Sequence, residues 1–120
     1  MTRHVIHVGL DSLDGMGRHF IDTWRRAEQG EAVEPYYGLD FEDLGTLLAT
    51  LTPKRWALLR CLRQHGPLSI YALAKALQRD YKRVYDDVRL LTELMLVEKN
   101  EEGKVFVLWD EIEAHIRLAA

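Results

Sequence analysis

The sequence is short of the residues that cross-link or catalyse. It has a single cysteine, Cys61, so no intrachain disulfide, paired-Cys metal knuckle or dithiol redox motif can form. Its five histidines are scattered, none sits in an H-E-x-x-H pattern, and no glycine-rich phosphate loop follows a strand-like run. His4 and His7 could share a metal with His115 only if the termini paired, and positions i and i+3 of a strand face opposite sides. No catalytic residues, cofactor or metal are therefore expected, and the chain does not read as an enzyme. It also lacks any apolar run of about 18 residues and any signal-peptide pattern, so a cytoplasmic protein with no membrane partner is expected.

The composition suits a folded core. Apolar residues make up 48% of the 120 positions, enough for one domain or a compact domain with an attached arm. The formal net charge of −3 hides a division along the chain. Between Thr52 and Thr92 nine Lys/Arg face three Asp, which leaves the rest of the chain strongly acidic. Positive potential concentrated on one segment is the footprint of a polyanion-binding surface, and the acidic remainder suits repulsion elsewhere or a basic partner.

Within that basic segment the spacing predicts two short helices joined by a tight turn. Ser69 is a candidate N-cap for a helix carrying Ile70, Leu73, Ala74 and Leu77. Asp80 then caps a second helix with an apolar stripe of Tyr81, Val84, Val88, Leu91 and Met95. At about 100° per residue, Lys82, Asp86, Arg89 and Glu93 fall on the outward face, with Arg83 on its flank. Lys82 and Arg83 occupy the first turn, where the macrodipole favours anions, and pair with Asp86 and Asp87 at i,i+4 in the weaker orientation. Folding gains little from this order, whereas a positive first turn suits a helix whose N-terminus enters the major groove. Asp86 and Asp87 point about 100° apart on such a helix, so they are no acid/base pair; Asp86 suits Lys82 or a cytosine amine.

Around this motif the chain reads as follows. Thr2 to Val8 alternates weakly, as a short edge strand would. Met16, Phe20, Trp24 and Ala27 predict a helix over 13–29 that ends at Gly30. Residues 31–39, with Pro35 and Gly38, look like a connector, and a short helix is expected from Asp40 with Asp43 in its first turn. Thr52-Pro53 is a cap followed by proline at the first helical position, opening a helix to about Gln64 that buries Trp56, Leu59 and Leu62 or their neighbours. Cys61 on this helix reads as buried apolar filler. Leu96–Lys99 and Lys104–Leu108 predict a hairpin around a polar turn, with Lys99 and Lys104 placed to reach phosphates. The tail over 110–118 fits strand or helix equally.

The run Leu51-Thr52-Pro53-Lys54-Arg55, with Leu58-Leu59-Arg60, Gly66-Pro67-Leu68-Ser69-Ile70, Leu73-Ala74, Arg79-Asp80-Tyr81-Lys82, Val84 and Asp87-Val88, resembles a family of small prokaryotic winged-helix proteins. These are MarR-like transcriptional regulators of archaea and bacteria, related to a haloarchaeal group of DNA-binding proteins. Asp110-Glu111-Ile112-Glu113 is similar to that family's ending, and Trp24 with Gly30-Glu31 to its leading segment. The resemblance places Arg79, Tyr81, Lys82 and Arg83 on the recognition-helix motif, and implies an antitoxin role where such proteins are encoded beside small toxins. The chain departs from the family pattern at Gln78 and Met95, where glycine is usual, and at Arg83 and Tyr85-Asp86, where Asn and His-Arg are expected. Those last changes imply a different target sequence.

The expected architecture is mainly α with a small β-hairpin wing: an N-terminal strand and helical extension over 1–50 for packing or dimerisation, a winged helix-turn-helix over 51–109, and a tail element over 110–120. The expected function is sequence-specific binding of double-stranded DNA, as a repressor acting as a homodimer on a palindromic operator. Its contacts would be Ser69, Arg79, Tyr81, Lys82, Arg83, Tyr85, Arg89, Lys99 and Lys104. The alternative is an antitoxin or other interaction module that neutralises a partner such as a cognate toxin, with or without DNA binding.

Overall fold

The computed structural model describes residues 4–10, 24–25, 27–30, 37–116 and 118. The chain divides into two compact units, one of Leu51–Asp110 with Met1–His4, the other of Val5–Thr50 with Glu111–Ala120. Among the described residues the fold is mixed α/β, with four helices long enough to number and two small sheets.

In the second unit, β1 (Val5–Gly9) lies between β2 (Gly38–Asp40) and β5 (Glu111–Ala114), parallel to both. Register is set by His7↔Gly38 on one side and Val5↔Glu111 on the other. The expected edge strand is thus the central one, and it buries Ile6 and Val8 on one face. Part of the expected connector is β2; residues 31–36 lie outside the described ones. Parallel neighbours this far apart in sequence leave no local signature, because each strand is short and its partners arrive through long connections. The tail resolves as a strand, and so the two ends of the chain meet within one copy.

Asp43 does not sit inside the helix that follows. It precedes α1 (Leu44–Thr50), where its carboxylate accepts the Thr46 N–H at 2.7 Å, so it acts as a cap rather than a first-turn acid. Of the helix expected over 13–29, Trp24, Arg25, Ala27 and Glu28 are described and helical. It ends as expected at Gly30, whose φ of 80° is the left-handed stop that glycine adopts without a Cβ penalty.

The first unit is built from α2 (Pro53–His65), α3 (Ile70–Leu77), α4 (Tyr81–Glu93) and the antiparallel pair β3 (Glu98–Lys99) and β4 (Val105–Phe106). Each helix starts where the sequence sets a cap: Thr52 Oγ1 accepts from Arg55 N–H, Ser69 Oγ from Ala72 N–H, and Asp80 from Arg83 N–H. α2 packs on α3, α3 on α4, and β4 on α2. The core is Leu51, Leu58, Leu59, Leu62, Leu73, Ala74, Val84, Val88, Leu91, Leu96, Val97, Val105 and Val107. Trp56 is 37% exposed, so α2 buries Leu58 rather than the tryptophan, and Cys61 is half-buried rather than enclosed. Tyr81 and Met95 also leave the expected stripe, at 50% and 68% exposure. Between α2 and α3, a Cβ on Gly66 would stand 2.5 Å from the Leu62 carbonyl oxygen, so that turn needs glycine.

Candidate nucleic-acid interface

α3 and α4 are separated by only Gln78, Arg79 and Asp80. The reversal is made by a left-handed residue, Gln78 at φ 53°, with Arg79 N–H reaching the Ala74 carbonyl at 3.0 Å and Gln78 N–H the Lys75 carbonyl at 3.1 Å. These are the paired bonds of a Schellman motif. The same pair recurs at the end of α4, where Met95 at φ 64° donates to Thr92 and Leu96 to Leu91. Gln78 and Met95 therefore stand at the two positions where backbone geometry favours glycine.

α4 has two polar faces of different character. Inward, Asp87 is buried, and its carboxylate accepts from Arg55 Nε of α2 at 3.0 Å and from Arg79 Nη2 of the turn at 2.7 Å. One carboxylate thus ties together α2, the turn and α4. The Arg79 side chain is only 17% exposed, and its Nη1 is buried without a hydrogen-bond partner. Arg79, expected on the outer surface, points inward; the expected Arg83–Asp87 pair is replaced by this network. The sequence carried a signal for it, since position 87 lies between Val84, Val88 and Leu91 on the apolar stripe, where an unpaired acid would be costly.

The outward face carries Tyr81, Lys82, Arg83, Tyr85, Asp86 and Arg89, all exposed. Lys82 Nζ lies 3.1 Å from Asp86, as anticipated, and Arg89 reaches Glu93 at 3.9 Å. Arg83 has no acidic partner among the described residues, which leaves its five donors free for a ligand. Two residues of α3 that the spacing did not single out are also exposed: Tyr71 is 62% exposed, and Lys75 Nζ sits 5.6 Å from its ring centroid. Ser69 is exposed at the start of α3, its oxygen engaged with Ala72 N–H while its hydroxyl hydrogen remains able to donate.

The hairpin turn is closed by Asn100, whose side-chain oxygen accepts from Glu102 and Lys104 N–H, and by Gly103 at φ 82°. Lys99 and Lys104 are both exposed, but Lys104 Nζ lies 3.7 Å from Glu102, so Lys99 is the less neutralised of the two. Among the described residues no group of His, Cys, Asp or Glu is arranged to hold a metal ion, and no helix is long and apolar enough to cross a membrane.

The family model HVO_A0114 matches residues 50–114, more than half of the chain. The chain belongs to the HVO_A0114 family. The HVO_A0114 match takes in α2, α3, α4, β3, β4 and β5 complete, so the buried Arg55–Asp87–Arg79 network and the outward face of α4 both lie within it. No curated protein matches the chain.

Proposed function

We propose that this chain is a sequence-specific double-stranded DNA-binding protein of winged helix-turn-helix type, a transcriptional repressor that acts as a homodimer. In this reading α3 and α4 are the helix-turn-helix, α4 is the recognition helix and the β3–β4 hairpin is the wing. The observation that carries it is the outward face of α4, exposed and cationic in its first turn, on a helix fixed from behind by the Asp87 network. A recognition helix needs both properties, because base contacts require side chains held in register by a rigid support. Arg83 and Lys82 would meet bases or phosphates, Tyr81, Tyr85 and Arg89 continue the same face, Ser69 grips phosphate at the start of α3, and Lys99 reaches the backbone from the wing. Two copies would read two half-sites about one helical turn apart.

The test is binding of the purified protein to a labelled duplex from its own upstream region, with unrelated duplex as competitor and salt varied. Retention against the competitor, with affinity falling steeply as salt rises, is the expected result. Absence of binding at low salt overturns the reading and redirects the search to a protein partner, such as a cognate toxin.

A further inference from the structure

Positive charge explains attraction to DNA but does not choose a base. The feature of α4 that charge leaves unexplained is aromatic. Tyr81 is 50% exposed and Tyr85 40% exposed, and their rings stack with centroids 6.3 Å apart and planes at 28°. The pair lies in the first two turns of α4, where Lys82 and Arg83 also stand. Lys82 Nζ lies 5.7 Å from the Tyr85 ring centroid and is tied to Asp86, so the Tyr85 ring is held on the helix face. Two large rings kept in water gain little for the fold, yet they lose little freedom on meeting a ligand because they are already ordered.

Base edges in the major groove are polar almost throughout. The exception is the 5-methyl group of thymine, the one apolar feature that a base edge offers there. We infer that Tyr81 and Tyr85 are specificity-determining residues that read thymine methyl groups in the major groove, an assignment that rests on the DNA-binding reading above. The cations beside them hold phosphates and guanine edges, while the stacked rings supply an apolar surface that a cytosine or guanine edge does not match. Sites bound by this protein therefore carry thymine opposite the first two turns of α4.

The experiment starts from a randomised duplex library, enriched by the intact protein. Each thymine of the enriched site is then replaced in turn by deoxyuridine, which differs only by loss of the methyl group. At one or two positions per half-site, binding should weaken about fourfold, the worth of one buried methyl-sized group. Tyr81→Ala or Tyr85→Ala should weaken binding to the thymine site and abolish the deoxyuridine penalty at the matching position, whereas Tyr85→Phe, which keeps the ring, should retain it. Both side chains are exposed, so these variants should melt with the parent protein. A penalty that persists in both alanine variants overturns the assignment, and so does Tyr85→Phe behaving like Tyr85→Ala, which would make the phenol a phosphate contact. An enriched site indifferent to deoxyuridine overturns the thymine assignment alone. A library that yields no enriched duplex overturns the DNA-binding reading, and this assignment with it.

Discussion

Adjacent aspartates on α4 face opposite environments. The Asp87 side chain is 12% exposed and shared by two arginines from other parts of the first unit, while the Asp86 side chain is 57% exposed and paired with a lysine on its own helix. The difference teaches that chemistry alone does not set the worth of an ion pair. A buried carboxylate between two guanidiniums leaves uncompensated charge if it is removed, whereas water takes over the role of an exposed one. Asp87→Ala should therefore destabilise the protein by about 3–5 kcal/mol in chemical denaturation. Asp86→Ala should cost no more than about 0.5 kcal/mol, with bound DNA absent. Equal losses for the two would break the distinction between an inner, structural face and an outer, ligand-facing one.

The same comparison separates the arginines. Arg79 and Arg83 are both near the start of α4, but only Arg83 is exposed. Arg83→Ala should leave the denaturation midpoint unchanged and cost about 1–3 kcal/mol in binding to the preferred duplex, with relaxed discrimination at one base pair. If affinity instead drops equally for all duplexes, Arg83 touches phosphate, and base readout on this helix falls to its neighbours.

How much of this was legible follows the range of the interactions. The caps Thr52, Ser69 and Asp80 and the hairpin after α4 are local devices, and each was readable within a few residues of the feature it controls. The Arg55–Asp87 contact joins residues 32 positions apart: the apolar stripe around position 87 calls for a partner, but nothing near it says which. The parallel sheet is hidden for the same reason: Val5 pairs with Glu111, and a five-residue strand that ends at Gly9 carries too weak an alternation to show whether it is central or at an edge. Arg79 reads as a surface residue because basic residues in a turn usually face water, whereas the buried carboxylate that pairs with it lies eight residues further on.

The two ends of α4 offer a smaller effect. Met95 holds a left-handed conformation that costs a non-glycine residue about 1 kcal/mol, and its side chain is 68% exposed, so little packing opposes a change. Met95→Gly should stabilise the protein by no more than about 0.5 kcal/mol, after allowance for the greater freedom of glycine in the unfolded chain. The Schellman bonds to Leu91 and Thr92 are made by backbone and survive the substitution. A loss of stability would mean that the exposed methionine packs on something else, and would mark this end of α4 as a contact surface instead of a plain helix stop.

A third aspartate tests whether an arginine partner matters when water reaches the pair. Asp110 accepts from Arg63 through one carboxylate oxygen and from His4 N–H through the other at 2.9 Å, while its own N–H donates to the His4 carbonyl at 2.8 Å. The Arg63 hydrogen bond first, and the His4 N–H second, hold its carboxyl below the ordinary value of 3.8. A carboxyl depressed in the folded state binds fewer protons there than when unfolded, so stability rises with pH across this interval. The contribution is complete above the ordinary value and is lost as pH falls through the lowered folded one. Asp110→Asn should accordingly melt slightly below the parent protein at neutral pH, and the gap should close in acid as the parent loses the same bond. Melting curves recorded down a pH series give the answer. A gap that stays constant into acid would show that the amide disturbs packing rather than charge, and would separate Asp110 from both aspartates of α4.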